Sequence, residues 1–145
     1  MRLSTLLVAV NYLGLASAAS IANPADSLHT LNKRNCFESG VSFSSDRGTA
    51  VAKARTACNG PLKGTYRKGH SHDRSECYNL SGSKQVKFTV GLTGPNAGDS
   101  ASLSFEDCLD GLSSEIYNCG KGGDTTYGHW RYRADPNEGL CRTLS

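Results

Sequence analysis

Two histidines and an aspartate stand together in His70-Ser71-His72-Asp73. At i and i+2 the imidazoles can share a strand face and ligate a metal, or act as acid and base. No third ligand is marked nearby, and Arg67, Lys68 and Arg74 would repel a cation. The stretch is therefore expected to be a solvated loop, with no metal and no cofactor. Glu76, His129 and Arg131 are the residue types that acid–base chemistry around a phosphate requires, although their spacing does not demand it. The serines include no Gly-x-Ser-x-Gly elbow, which argues against a Ser-His-Asp hydrolase.

A denser group occupies the C-terminal region: Tyr127, His129, Trp130, Arg131, Tyr132, Arg133, Asp135 and Asn137. Aromatic rings can cover the apolar C–H face of a pyranose. Asp, Asn and Arg side chains supply paired hydrogen bonds to hydroxyls. These eight residues are the candidates for a glycan site. Each also has a scaffold reading. A sole tryptophan in a small domain is mostly buried, so Trp130 is expected in the core. Asp135-Pro136-Asn137 is a turn signal, and Gly122, Gly123 and Gly139 read as backbone hinges.

The elements that must position these residues centre on a helix beginning at Ser104. On a wheel, Phe105, Cys108, Leu109, Leu112, Ile116 and Cys119 fall within an arc of about 100°, a core-facing stripe. Ser104 with Asp107 makes an approximate capping box, Glu106 and Asp107 suit the positive end of the dipole, and Gly120 is placed for a left-handed cap. Cys108 and Cys119 would stand roughly 16 Å apart along the axis, too far to pair. Each must therefore reach a different part of the chain. After a glycine-rich loop, His129 to Arg133 reads as a strand with Trp130 and Tyr132 on one face and His129, Arg131 and Arg133 on the other.

Upstream, Asp46 to Cys58 reads as a second helix, N-capped by Ser45 or Asp46 and ended by Asn59-Gly60-Pro61. Its face of Ala50, Val51, Ala54, Ala57 and Cys58 is narrow. Val41–Phe43, Gly64–Arg67 and Glu76–Leu80 read as short strands. Lys84 to Leu92 is the strongest strand: Val86, Phe88, Val90 and Leu92 alternate with Gln85, Lys87, Thr89 and Gly91, giving a buried and a wet face. Thr93 to Ser102 reads as a loop. The pattern predicts a small α+β domain, a mainly antiparallel sheet packed by two helices.

The chain has 145 residues. Residues 1–18 read as a secretory signal peptide: Arg2, an apolar run Leu6 to Val10, then Ala16-Ser17-Ala18. The apolar run is too short for a membrane span. Residues 19–34 read as a propeptide ending in the dibasic Lys33-Arg34, which leaves residues 35–145 as one secreted, extracellular domain. Net charge falls from +3 for the whole chain to about +1 for the mature part, which does not suggest nucleic acid or an anionic membrane as a partner. Cys36, Cys58, Cys77, Cys108, Cys119 and Cys141 all lie in that part, so three disulfides are expected, with fifteen connectivities open. Asn79-Leu80-Ser81 is an N-glycosylation sequon.

The run from Asp107 to Cys141 carries Asp107, Cys108, Leu112, Ile116, Cys119, Gly122, Gly123, Trp130, Tyr132, Arg133, Ala134, Asp135, Pro136, Asn137, Gly139 and Cys141. It resembles the end of the small secreted fungal glycan-binding proteins of the fruiting-body, Y-three-like family. That resemblance implies an α/β/α-sandwich and a lectin-like role. The expectation is a secreted, non-catalytic carbohydrate-binding protein that recognises a glycan or glycoprotein. The alternatives are a secreted effector or toxin-like interaction protein and a small secreted ribonuclease.

Overall fold

The computed structural model describes residues 34–142; the expected signal peptide, and the expected propeptide except for Arg34, lie outside the described residues. Two helices, α1 (Arg47–Asn59) and α2 (Phe105–Asn118), accompany six strands. The strands are β1 (Gly64–Arg67), β2 (Arg74–Asn79), β3 (Lys84–Leu92), β4 (Ser100–Leu103), β5 (Gly123–Tyr127) and β6 (Trp130–Glu138). Short 3-10 turns occupy Ser44–Asp46 and His70–His72. The main sheet is antiparallel throughout in the order β2-β3-β6-β5, and β1 pairs with β4. Among the described residues no helix is long and apolar enough to cross a membrane.

The helix α2 forms as its sequence dictates. The Ser104 hydroxyl accepts the Asp107 N–H at 3.1 Å, and Cys108, Leu112 and Ile116 are buried. Phe105 and Leu109 sit at the rim, half-buried against the core. Two details depart from expectation. Glu115 is buried on the same side. Gly120 is not the left-handed residue; Cys119 leaves the helix in an extended conformation and Gly122, at φ +81°, turns the chain. A Cβ on Gly122 would lie 2.1 Å from the Ala134 carbonyl oxygen, so glycine is required there by close approach as well as by φ.

In α1, Asp46 holds the N-cap position without a side-chain cap bond. Its carboxylate instead pairs with Lys84 and accepts the Ser81 N–H, tying the helix to the start of β3. The hydrogen bond from Lys84 is the main cause that holds the Asp46 carboxyl below its usual range.

The strand β3 pairs along its whole length with β6. Its Val86, Phe88, Val90 and Leu92 are buried as expected, but Thr89 and Gly91 on the other face are buried too. Residues 41–43 form no strand, although Phe43 is fully buried. Two segments read as loops are strands, β4 and β5. The turn expected at Asp135-Pro136-Asn137 is also absent: β6 runs through it to Glu138. The register explains why. Gly139 N–H bonds Ser83 O and Thr93 N–H bonds His129 O, so the odd-numbered residues of β6 bond β3. The nitrogen of Pro136 therefore points past the end of β5, where no donor is needed.

Both helices cover one face of the sheet. The Tyr132 ring of β6 packs on Gly111 of α2, where a Cβ would come within 2.4 Å of it. Lys84, on the same face as Val86, meets the start of α1. The bridge Cys58–Cys108 joins the helices, Cys36–Cys119 joins the N-terminal segment to the end of α2, and Cys77–Cys141 ties β2 to the C-terminal end. Cys108 and Cys119 thus go to different partners, and α2 is stapled near both ends. The domain is α+β, mainly antiparallel and disulfide-stapled, as expected. The opposite, outer face of the sheet lies under the His70–His72 turn with Asp73 and under residues 37–40.

Candidate functional site

Alternation along β6 sorts the candidate residues onto two faces. Arg131, Arg133, Asp135 and Asn137 lie on the outer face; Trp130 and Tyr132 lie on the helix-covered face. The outer group is linked by charge. The Arg131 guanidinium donates to Asp124 Oδ1 and Oδ2 at 2.7 and 2.5 Å, and to Asp73 Oδ2 at 2.6 Å. These partners push the arginine above its ordinary range, the Asp124 hydrogen bonds foremost. Gly91 makes room for the arrangement, since a Cβ there would stand 1.8 Å from Asp73 Oδ1. Arg131 is therefore committed to the scaffold.

Arg133 is held more loosely. Its Nη2 donates to Asp135 Oδ2 at 2.6 Å and its Nη1 to Asp124 Oδ2 at 3.4 Å. Its guanidinium lies 5.1 Å from the centre of the Phe37 ring, and about a third of its side chain stays exposed. Asn137 donates from Nδ2 to the Asp135 carbonyl at 3.0 Å. Between these side chains and the segment Phe37-Glu38-Ser39-Gly40 lies an open, mostly polar cleft of about 310 Å³. Its carboxylate, guanidinium and amide are donor and acceptor groups of the kind that fix sugar hydroxyls.

The other candidates belong elsewhere. Tyr132 is buried, and burial pushes its phenol up. Trp130 is half-buried and meets the Tyr66 ring edge-to-face at 5.3 Å, so it supports the core as the sequence suggests. Tyr127 donates its hydroxyl to Glu115 Oε1 at 2.6 Å; burial, with that carboxylate, pushes its phenol up to about 12. His129 is exposed in the turn between β5 and β6, where its carbonyl accepts the Thr93 and Gly94 N–H groups. The eight residues do not form one site.

The other chemistry weighed from the sequence also separates. Glu76 pairs with Phe88 on the helix-covered face, whereas Arg131 pairs with Gly91 on the outer face, so Glu76, His129 and Arg131 do not converge. His70 approaches Asp73 at 3.4 Å. Asn79 of the sequon is exposed, and its side-chain oxygen accepts the Cys141 N–H at 2.7 Å. The sequence reading missed Phe37, Glu38, Ser39, Gly40 and Asp124, and it weighed Asp73 only with the neighbouring histidines, not as a partner of Arg131. Nothing in the spacing of the five marks them; the Cys36–Cys119 bridge brings the first four to β6, and sheet register brings Asp124 to Arg131.

The fold and cleft together define a small, disulfide-stapled α+β domain with an open, polar cleft on its outer sheet face. The chain belongs to the family described as glycan binding domain Y3, whose sequence pattern matches residues 50–141. No curated protein matches the chain. Membership carries carbohydrate binding as the general function, and the match includes all of β6 but not residues 37–40 of the cleft.

Proposed function

We propose that the protein is a secreted, non-catalytic, lectin-like protein of fungal type whose sugar site is the cleft between residues 37–40 and β6. The observation that carries this is the side-by-side placement of Arg133, Asp135 and Asn137 along one wall, in a chain of a glycan-binding family. The ligand is a glycan, free or on a glycoprotein. Three disulfides fit an oxidising, extracellular setting. The ribonuclease alternative loses support because its three groups lie apart.

A glycan array identifies the ligand, and titration calorimetry on Asp135→Ala and Asn137→Ala tests the cleft. Each variant is expected to weaken binding roughly 10–100-fold, the scale of a lost charge-assisted hydrogen bond. Melting should change little, because the Arg133–Asp135 pair is partly open to solvent, which screens it. Wild-type affinity in both variants would place the sugar elsewhere.

A further inference from the structure

Asn35, Cys36 and Phe37 run beside β5 as a short extended segment. Asp124 N–H donates to Asn35 O at 3.0 Å, Phe37 N–H donates to Gly122 O at 2.9 Å, and Cys36 bridges to Gly123. The Cys36–Cys119 disulfide pins the segment to the end of α2. The Asn35 N–H donates to Thr125 Oγ1 at 3.1 Å, and that hydroxyl in turn donates to Glu115 Oε2 at 3.1 Å. One hydroxyl therefore separates the Asn35 nitrogen from a carboxylate.

That carboxylate has no exposed surface. The donors on its oxygens are the Thr125 and Tyr127 hydroxyls. Burial raises the Glu115 carboxyl above its usual range, opposed first by the Tyr127 and Thr125 hydrogen bonds and then by the Arg34 charge, the one cation among these influences. Arg34 Nη1 donates to Ser114 O at 2.9 Å, and its guanidinium lies 5.7 Å from the Tyr127 ring centre. Arg34 is also the second residue of the dibasic pair, and Asn35 beyond it is exposed. The residue that maturation would remove thus carries the positive charge that acts on Glu115.

We propose that hydrolysis of the Arg34–Asn35 bond is a maturation switch in which the new α-ammonium of Asn35 replaces the Arg34 guanidinium and forms an ion pair with buried Glu115. An endoprotease that cuts after dibasic pairs adds water across the peptide bond. Arg34 departs with the new carboxylate, and Asn35 keeps the amine, which takes up a proton. The disulfide at Cys36 holds that ammonium in place, so little ordering entropy opposes the pairing. Loss of Arg34 also uncovers the Tyr127 ring. The switch stands independently of the glycan reading.

The test compares the full-length chain before and after cleavage with a dibasic-specific protease, as wild type and as Glu115→Gln. Cleavage is expected to raise the wild-type Tm by about 4 °C or more and to leave that of Glu115→Gln unchanged. An equal shift in both would overturn the proposal, as would a secreted chain that keeps Arg34. If Glu115→Gln does not fold, the pH dependence of amine labelling on cleaved wild type decides. An ordinary α-amine titrates near pH 7.7–8.0. Pairing with Glu115 should raise that value and slow labelling at neutral pH about tenfold against a free peptide. The groups facing Glu115 are the Thr125 hydroxyl, the Tyr127 phenol and, before cleavage, Arg34, while the Asp124 carboxylate acts on it from the other face of β5; none of those on β5 can supply a cation. Labelling at the free-peptide rate overturns the ion pair.

Discussion

At the scale of single residues, two forces oppose each other at Gly111. In a helix interior glycine costs about 1 kcal/mol against alanine, so Gly111→Ala ought to stabilise α2. The Tyr132 ring occupies the space the methyl needs. Tyr132 is itself locked between the helix and its neighbours on the sheet, so the ring cannot simply retreat. Overpacking of this kind costs about 1–3 kcal/mol. The expected result is a net loss of stability in urea denaturation, and a gain would show that the ring moves aside. Arg131→Ala should be worse. It takes the guanidinium from Asp73, whose side chain is 9 % exposed, and leaves Asp124 only its longer contact to Arg133. Breaking a buried pair costs about 3–5 kcal/mol, and partial solvent access places this one near the lower end. A sugar-binding role for Arg131 would instead lower affinity and leave the unfolding midpoint alone.

Among the elements, those whose pattern comes from apolar burial were readable from sequence. The buried stripe of α2 and the inward positions of β3 are both present as read, because each faces one continuous core. The strand β5 was hidden for the opposite reason. Its inward positions are Gly123, Thr125 and Tyr127, and what they face is Glu115 rather than an apolar surface. No hydrophobic alternation was needed, so none was written. The strand β6 was cut short in the reading because Asp-Pro-Asn is turn chemistry; the free side of Pro136 is visible only once the sheet order is known. The cleft was half legible. Its β6 wall lies in the most distinctive part of the sequence, while its other wall depends on which cysteine meets Cys119. The tie between α1 and β3 carries a pH signature. Asp46 titrates below its usual range in the folded state, so the unfolded chain binds the proton first as pH falls. The stabilisation is fully present above an unfolded value near 3.8 and is lost as pH drops through the lower folded value. Asp46→Asn should flatten that acid limb of stability, measured by denaturant midpoints between pH 2 and 5; an unchanged limb would count against the tie.

For the molecule as a whole, covalent staples compensate for a small core. The bridges span separations of 83, 50 and 64 residues. Each is expected to contribute about 2–4 kcal/mol by restricting the unfolded chain. Reduction should therefore unfold the domain at moderate temperature, and a melt indifferent to excess reductant would contradict this. The Cys58–Cys108 bridge should be the slowest to reduce, because both residues are fully buried, whereas Cys77 is exposed. Mass spectrometry after timed alkylation gives the order directly.

Two of those bridges also sit where a sheet is most vulnerable. The outermost strands of the four-stranded sheet are β2 and β5. The segment around Cys36 lies along β5, and Cys141 lies against β2, each locked there by its disulfide. An unpaired strand edge is a template for another chain, and here each border is covered by a disulfide-anchored segment of the same polypeptide. Opening Cys36–Cys119 and Cys77–Cys141 thus does more than lower a melting point. It releases both guards at once, and the reduced protein should self-associate through its strand borders, with thioflavin fluorescence rising before the helices melt.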